Sequence, residues 1–358
     1  MTEPAKRLEA PHRRLQTSPR IVEKIAVVGY KSSARLLAYL PPRFSAAVVG
    51  RLNQLGYLVW PSKRRYSNLN FSHVLGLPPN HPDVRRLAMR AYKEYGWFMV
   101  ETMRLPSLKT EVVQQLVEGD GMDRIVDAFR AHGKSMIVVA GHVGNNEAVA
   151  AGVAHRGLPA NVVADDSAFP EIFDILRRNR ESWGVHVVPW RNLRELFTIL
   201  RKNQMLALLV DWGYKPDDIP VKLFGAWTTL PAGPATLAAK TGAIIAPMVV
   251  RRLPNGHFRI DTDVAFTVDA SDSATIQRAT QRIADALERT VAAAPEQWYN
   301  FKPMWPSTAA ETATLERRAA EMLAGRQSAG ERGAVPAASP EAVPNEAPAP
   351  AAIPSGGA

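Results

Sequence analysis

Apolar positions divide this chain into three regimes. Before residue 66, Ile21, Ile25 and Val28, then Leu36, Leu37 and Leu40, recur at helical spacing and suit one helix or two short ones. Phe44, Val48, Leu52, Leu55 and Val59 form a second stripe that closes on Tyr57 and Trp60. After a proline-rich turn at 77–82, residues 83–103 read as a helix carrying Leu87, Tyr92, Tyr95, Phe98 and Met99. From residue 135, short apolar runs alternate with helical patterns. Strands are expected at 135–141, 161–164, 185–189, 205–211, 221–224, 243–250 and 258–264. Helices are expected at 146–155, 170–183, 193–202, 233–241 and 275–293. This alternation predicts an α/β fold, a sheet with helices on its faces. Residues 334–358 hold six prolines and no aromatics, which predicts a disordered tail. The expected division is a helical N-terminal region at 1–66, an α/β domain at 67–324 and a tail at 325–358.

Charge changes the reading of the first region. The net charge is +10, and residues 1–66 account for all of it. Between residues 20 and 66 there are nine Lys/Arg and one acid, Glu23. Apolar stripes flanked by cations and closed by Tyr57 and Trp60 suit helices that lie in a membrane surface. The same pattern also describes a helix packed on a core with a solvated basic face. No nucleic-acid module accompanies the charge, so nucleic acid is not an expected partner. No run of about 18 apolar residues could span a bilayer, and residues 1–19 contain no apolar signal core. The expected location is the cytoplasmic face of a membrane. The chain has no cysteine, which excludes disulfides and thiolate catalysis.

Candidate chemistry concentrates at Gly141-His142-Val143-Gly144-Asn145-Asn146-Glu147, where an apolar strand gives way to a helix. Residues five apart lie on different faces of a helix, so a turn must bring His142 and Glu147 together. A histidine at a strand's carboxyl end, held in one tautomer by a carboxylate, is suited to general-base work. A satisfied polar pair is the simpler reading of the same residues. Scattered histidines without paired-imidazole spacing argue against a metal site built on His142, Glu147 and Asp165 or Asp211. Asp211 ends a second apolar strand, and ligands collect at strand ends in open α/β sheets. Leu230-Pro231-Ala232-Gly233-Pro234-Ala235 opens a helix whose first N–H groups, at Gly233, could hold an anion or oxyanion.

In order and spacing these blocks resemble the bacterial lysophospholipid-type acyltransferases of the lipid A biosynthesis branch, which include the mycobacterial phosphatidylinositol mannoside acyltransferases. The resemblance rests on the His142–Glu147 block, Arg177-Arg178-Asn179-Arg180, Leu209-Val210-Asp211, Phe224-Gly225 with the 230–235 turn, Lys240-Thr241-Gly242-Ala243 and Pro295-Glu296-Gln297-Trp298. It spans roughly residues 68–306. It implies a twisted, mainly parallel sheet flanked by helices, attached to the membrane through its N-terminal helices. It also implies transfer of an acyl chain from acyl-CoA or acyl-carrier protein to a glycolipid hydroxyl, with no metal or other cofactor. By analogy His142 is the base, Glu147 orients it, Arg180 pairs with a phosphate or carrier group, Asp211 contacts polar substrate and Gly233 offers backbone donors. Two features depart from the family: cations interrupt the N-terminal apolar run, and Trp212-Gly213-Tyr214-Lys215 follows Asp211. A lipid A-type secondary acyltransferase and a non-catalytic glycolipid-binding protein are the alternatives.

Overall fold

The structure, a computed structural model, describes residues 20–165 and 170–325; the predicted tail falls almost wholly outside them. Four helices lead: α1 (Arg20–Tyr39), α2 (Pro42–Val59), α3 (Pro61–Leu75) and α4 (Pro82–Arg104). There follow α5 (Thr110–Gln115), β1 (Val117–Glu118), α6 (Gly121–His132), β2 (Met136–Ala140), α7 (Asn146–His155), β3 (Ala160–Ala164), α8 (Pro170–Ser182), β4 (His186–Pro189), α9 (Leu193–Arg201) and β5 (Met205–Leu209). The chain continues through β6 (Ile219–Leu223), β7 (Ala226–Leu230), α10 (Gly233–Thr241), β8 (Ile244–Arg252), β9 (Phe258–Thr262), α11 (Ser273–Ala293) and α12 (Ala309–Leu323).

The α/β expectation holds. Seven strands lie in the order β1-β9-β8-β2-β5-β3-β4 and pair in parallel throughout, except that β8 and β9 run antiparallel. β6 and β7 form a separate antiparallel hairpin. Alternate residues of β2 enter opposite cores, as the two-residue period of a strand requires. Ile137 and Val139 join the core that includes Phe71, Leu206, Ile245 and Trp298; Met136, Val138 and Ala140 join the one beneath α6 and α7. A continuous apolar run, without alternation, is what a strand buried on both faces needs.

Five elements were not expected from the sequence: β1, α5, α6, β7 and α12. A sixth, α3, crosses the boundary expected at residue 66, so the basic region does not end at a break in structure. Asn70 is buried on α3 and donates to the carbonyls of Asn300 and Lys302 at 3.1 and 2.7 Å.

The N-terminal helices divide their apolar residues between a packed face and an exposed one. α2 meets α4 through small residues: Ser45, Ala46 and Gly50 face inward, with Tyr57 one further on. A Cβ on Gly96 would lie 2.7 Å from the Gly50 Cα, so the crossing depends on both glycines. The large residues of the stripe point outward. Phe44, Leu52 and Val59 are 60%, 59% and 77% exposed. On α1, Ile25, Val28 and Leu36 are exposed as well, while Val27 and Leu37 are buried. Lys24, Lys31, Arg35, Arg43 and Arg51 are exposed among them. No helix among the described residues is long and apolar enough to cross a membrane.

Candidate active site

Strand register builds the centre of this site. β2 and β5 pair in parallel with Ala140 opposite Leu209, so the chains leave the sheet side by side and His142 comes level with Asp211. The Asp211 carboxylate is fully buried and accepts twice from His142: Oδ2 from the backbone N–H at 2.9 Å, Oδ1 from the Nδ1 side of the ring at 2.6 Å. Trp298 Nε1 donates to Oδ2 at 2.8 Å, and Asn300 Nδ2 donates to the Asp211 carbonyl at 2.7 Å. With its lone pairs engaged, the carboxylate accepts the Nδ1 proton and leaves the Nε2 lone pair available. The imidazole is one-third exposed, enough for a substrate hydroxyl to reach it.

Two glycines permit this approach. A Cβ at Gly141 would stand 3.2 Å from Asp211 Oδ2 and 2.6 Å from Leu287 Cδ1. Gly144 has φ +63°, and a Cβ there would sit 2.1 Å from the Val250 carbonyl. The loop is tied down from behind: Gly144 donates to the Gln297 carbonyl and Tyr299 to the His142 carbonyl, at 3.1 and 2.8 Å. Asn145 caps α7 by accepting from the Ala148 N–H and donates to Glu101 at 3.1 Å. Glu101 in turn binds Arg252, which also reaches Glu94 and the Tyr299 hydroxyl. Sequence reasoning missed this network. Its members Gly144, Asn145, Gln297 and Trp298 lie in blocks that support the resemblance, whereas Glu94, Glu101, Arg252, Tyr299 and Asn300 carried no signal.

Electrostatics make the pair a basic one. Burial disfavours the imidazolium, but the charge and hydrogen bond of Asp211 outweigh it and raise the His142 pKa above its ordinary value. Asp211 behaves reciprocally. Burial pushes its pKa up, and His142, with the backbone and Trp298 donors, more than reverses this.

The remaining predicted residues are arranged differently from expectation. Glu147 does not hydrogen-bond His142; its oxygens accept from Arg180 Nε and Nη2 at 2.8 and 2.5 Å. Its charge still acts on the imidazole, through space. Because Glu147 sits in the first turn of α7, its side chain projects toward α8, where Arg180 lies in the last turn. The Arg180 guanidinium, expected to meet a substrate anion, is therefore already engaged in a two-pronged pair only 16% and 18% exposed. Asp211, expected to touch substrate, is instead wholly enclosed behind His142. Gly233 opens α10 as predicted, but it is exposed, and no hydrogen bond ties it to His142 or Asp211.

An apolar cavity lies between α7 and the sheet. Val138, Val149, Val153, Val162, Ala207 and Met248 line it, and Asn146, Glu147 and Arg180 form its polar end. That end lies one to two helical turns from the His142 loop along the chain.

A family model described as bacterial lipid A biosynthesis acyltransferase matches residues 17–307. The chain belongs to this family. It is 27% identical over 257 residues to a phosphatidylinositol mannoside acyltransferase of Mycobacterium tuberculosis, covering 70% of this chain and 79% of that protein. It is 25% identical over 294 residues to a protein of the same name from Mycolicibacterium smegmatis, covering 79% and 92%. The resemblance seen in the sequence is thereby established. The chain is an acyltransferase of the lipid A acyltransferase family.

Proposed function

We propose that this acyltransferase moves a fatty acyl chain from a thioester, acyl-CoA or acyl-carrier protein, to a hydroxyl of a membrane glycolipid such as a phosphatidylinositol mannoside. The observation that carries this reading is the 2.6 Å contact between Asp211 and the His142 ring. His142 Nε2 takes the proton of the acceptor hydroxyl as its oxygen attacks the thioester carbonyl. The imidazolium that forms is stabilised by Asp211 and returns the proton to the departing thiolate as the tetrahedral intermediate collapses. The acceptor thus supplies the nucleophile, and no acyl-enzyme is needed. Asp211, rather than Glu147, is the orienting carboxylate in this mechanism. The Glu147–Arg180 pair holds α7 to α8 at the polar end of the apolar cavity, which has the chemistry to take the acyl chain.

The exposed apolar faces of α1 and α2, with their cations, support peripheral attachment to an anionic membrane, at its cytoplasmic face. Such attachment would bring the enzyme to an acceptor embedded in the bilayer. The names of the mycobacterial relatives favour a mannosylated phosphoinositide acceptor over the lipid A precursor of the family's name.

The deciding test is transfer of labelled acyl groups from acyl-CoA to mixed membrane lipids, comparing wild type with His142→Ala. A labelled glycolipid from the wild type, reduced roughly 10²–10⁴-fold in a folded variant, is the expected result. Equal turnover in both would remove His142 as the base.

A further inference from the structure

Behind the His142 loop lies a buried cation that the mechanism above does not use. β8 pairs with β2 as far as Pro247, opposite Val139, and then runs on to Arg252. The close approach of Gly144 to the Val250 carbonyl sets the loop that leaves β2 against this extension. The Arg252 side chain is only 4% exposed, and every nitrogen of its guanidinium is engaged. Nε and Nη2 donate to the two oxygens of Glu101, Nη1 donates to Glu94 at 2.6 Å, and Nη2 also reaches the Tyr299 hydroxyl at 3.2 Å. Burial disfavours the charge, but Tyr299, Glu101 and Glu94 outweigh burial and hold the Arg252 pKa above its ordinary value.

His142, Gly144 and Asn145 each lead back to Arg252 through a single intervening residue. Tyr299, whose hydroxyl accepts from Arg252, gives its own N–H to the His142 carbonyl. Gln297, whose carbonyl accepts from Gly144, has its side-chain amide paired with the Arg252 backbone. It accepts from the Arg252 N–H at 2.7 Å and donates to the Arg252 carbonyl at 3.0 Å. Glu101, held by the guanidinium, accepts from Asn145, which caps α7. Because Glu94 and Glu101 both belong to α4, the same side chain anchors the loop to that helix. A planar guanidinium can serve two carboxylates and a hydroxyl at once, which a lysine ammonium in its place could not.

We propose that Arg252 is a positioning residue for acyl transfer: through Tyr299, Gln297 and Glu101 it fixes the backbone of residues 142–145, and so keeps the His142 ring on Asp211 with Nε2 free for the acceptor hydroxyl. This rests on the general-base reading of the preceding section. Arg252 itself touches no reacting atom and acts only through the loop. Stability alone is a poor account of the cluster, because buried ion pairs roughly break even against apolar side chains of the same volume. Its convergence on the loop that carries His142 is what gives it a role in the reaction. A displacement of about 1 Å in such a centre can cost on the order of 10²-fold in rate.

The test compares the full-length wild type with Arg252→Lys and with the neutral variant Glu94→Gln/Glu101→Gln/Arg252→Met, which leaves no buried charge unpaired and so protects folding. Arg252→Lys should lower kcat about tenfold and the neutral variant about 10²-fold, each with donor and acceptor KM changed by less than about twofold. The acidic limb of the kcat profile should also move to lower pH, because an imidazole loosened from Asp211 loses what raises its pKa. A purely structural role would lower the melting temperature and leave that limb in place. Wild-type kcat in the folded neutral variant overturns the proposal, and so does a lower kcat with an unmoved limb. Wild-type kcat in Arg252→Lys would show that charge suffices, and overturns the assignment to the forked guanidinium. Titration of the His142 imidazole by NMR, its signal identified by loss in His142→Ala, reads the loop without turnover. A lowered His142 pKa in both variants supports the positioning role even if His142 proves not to be the base, whereas an unchanged pKa overturns it.

Discussion

Asp211 and Glu147 are both carboxylates near His142, and what separates them is which one the imidazole can touch. Asp211 supplies the hydrogen bond and the larger charge effect; Glu147 acts only through space. In the proposed mechanism the base form of His142 is the active one, so activity should rise with pH through a value above the ordinary histidine pKa and fall below it. Asp211→Asn removes what raises that pKa and leaves burial, which lowers it. The acidic limb of the kcat profile should therefore move to lower pH, and kcat should drop roughly 10²-fold or more. Glu147→Gln should move the limb in the same direction but less, and an equally large movement would return the orienting role to Glu147. Its main cost should fall on stability instead. Removing one partner leaves the Arg180 guanidinium buried without a counter-charge, about 2–3 kcal/mol by urea unfolding, and the Glu147→Gln/Arg180→Gln double variant should recover part of this. A double variant no better than the sum of the singles would show that the pair is not coupled.

The first two helices use their amphipathicity in an unusual sense. On α2 the inner face is built of Ser45, Ala46 and Gly50, because α4 approaches too closely at Gly96 for anything larger. The large apolar residues are left for the outside, and exposed contiguous apolar surface among cations is a membrane-binding signature. Leu52→Asp/Leu55→Asp should reduce sedimentation with anionic vesicles by tenfold or more, since each exposed leucine transferred to an apolar phase contributes about 1.5–3 kcal/mol. Both residues are more than half exposed, so thermal stability should hardly change. Retained vesicle binding would assign attachment to another surface. Tyr30 of α1 feels the charges of Glu147 and Arg180, so α1 lies next to the polar end of the apolar cavity.

At the scale of the whole molecule, the layers divide the work. The sheet and α7 enclose the apolar cavity, His142 and Asp211 stand just beyond the carboxyl ends of β2 and β5, and the loop after α11 holds that pair through Trp298, Tyr299 and Asn300. Acyl length should follow from cavity depth. Ala207→Phe, deep on β5, should lower kcat/KM for long-chain donors roughly tenfold while sparing short ones, as shown by competing donors of different length. Equal losses at every length would place the chain elsewhere. Much of this was legible in the sequence, because it depends on neighbours along the chain. The strand and helix alternation, the wholly apolar β2, the helix that starts at Asn146, the placing of His142 at a strand's end and the basic N-terminal stripes all follow from local pattern. β1 and α6 escaped notice because their apolar residues are few and closely mixed with charge, and β7 because two threonines interrupt its pattern. Contacts made across the fold were decided by tertiary structure alone. The pairing of His142 with Asp211, 69 positions away, depends on strand register, and no spacing encodes register between strands that are not neighbours in sequence. The partnership of Glu147 with Arg180, and the outward turn of the α2 stripe, depend likewise on where α8 and α4 come to rest. Sequence fixed which chemical groups the enzyme owns; packing decided which of them meet.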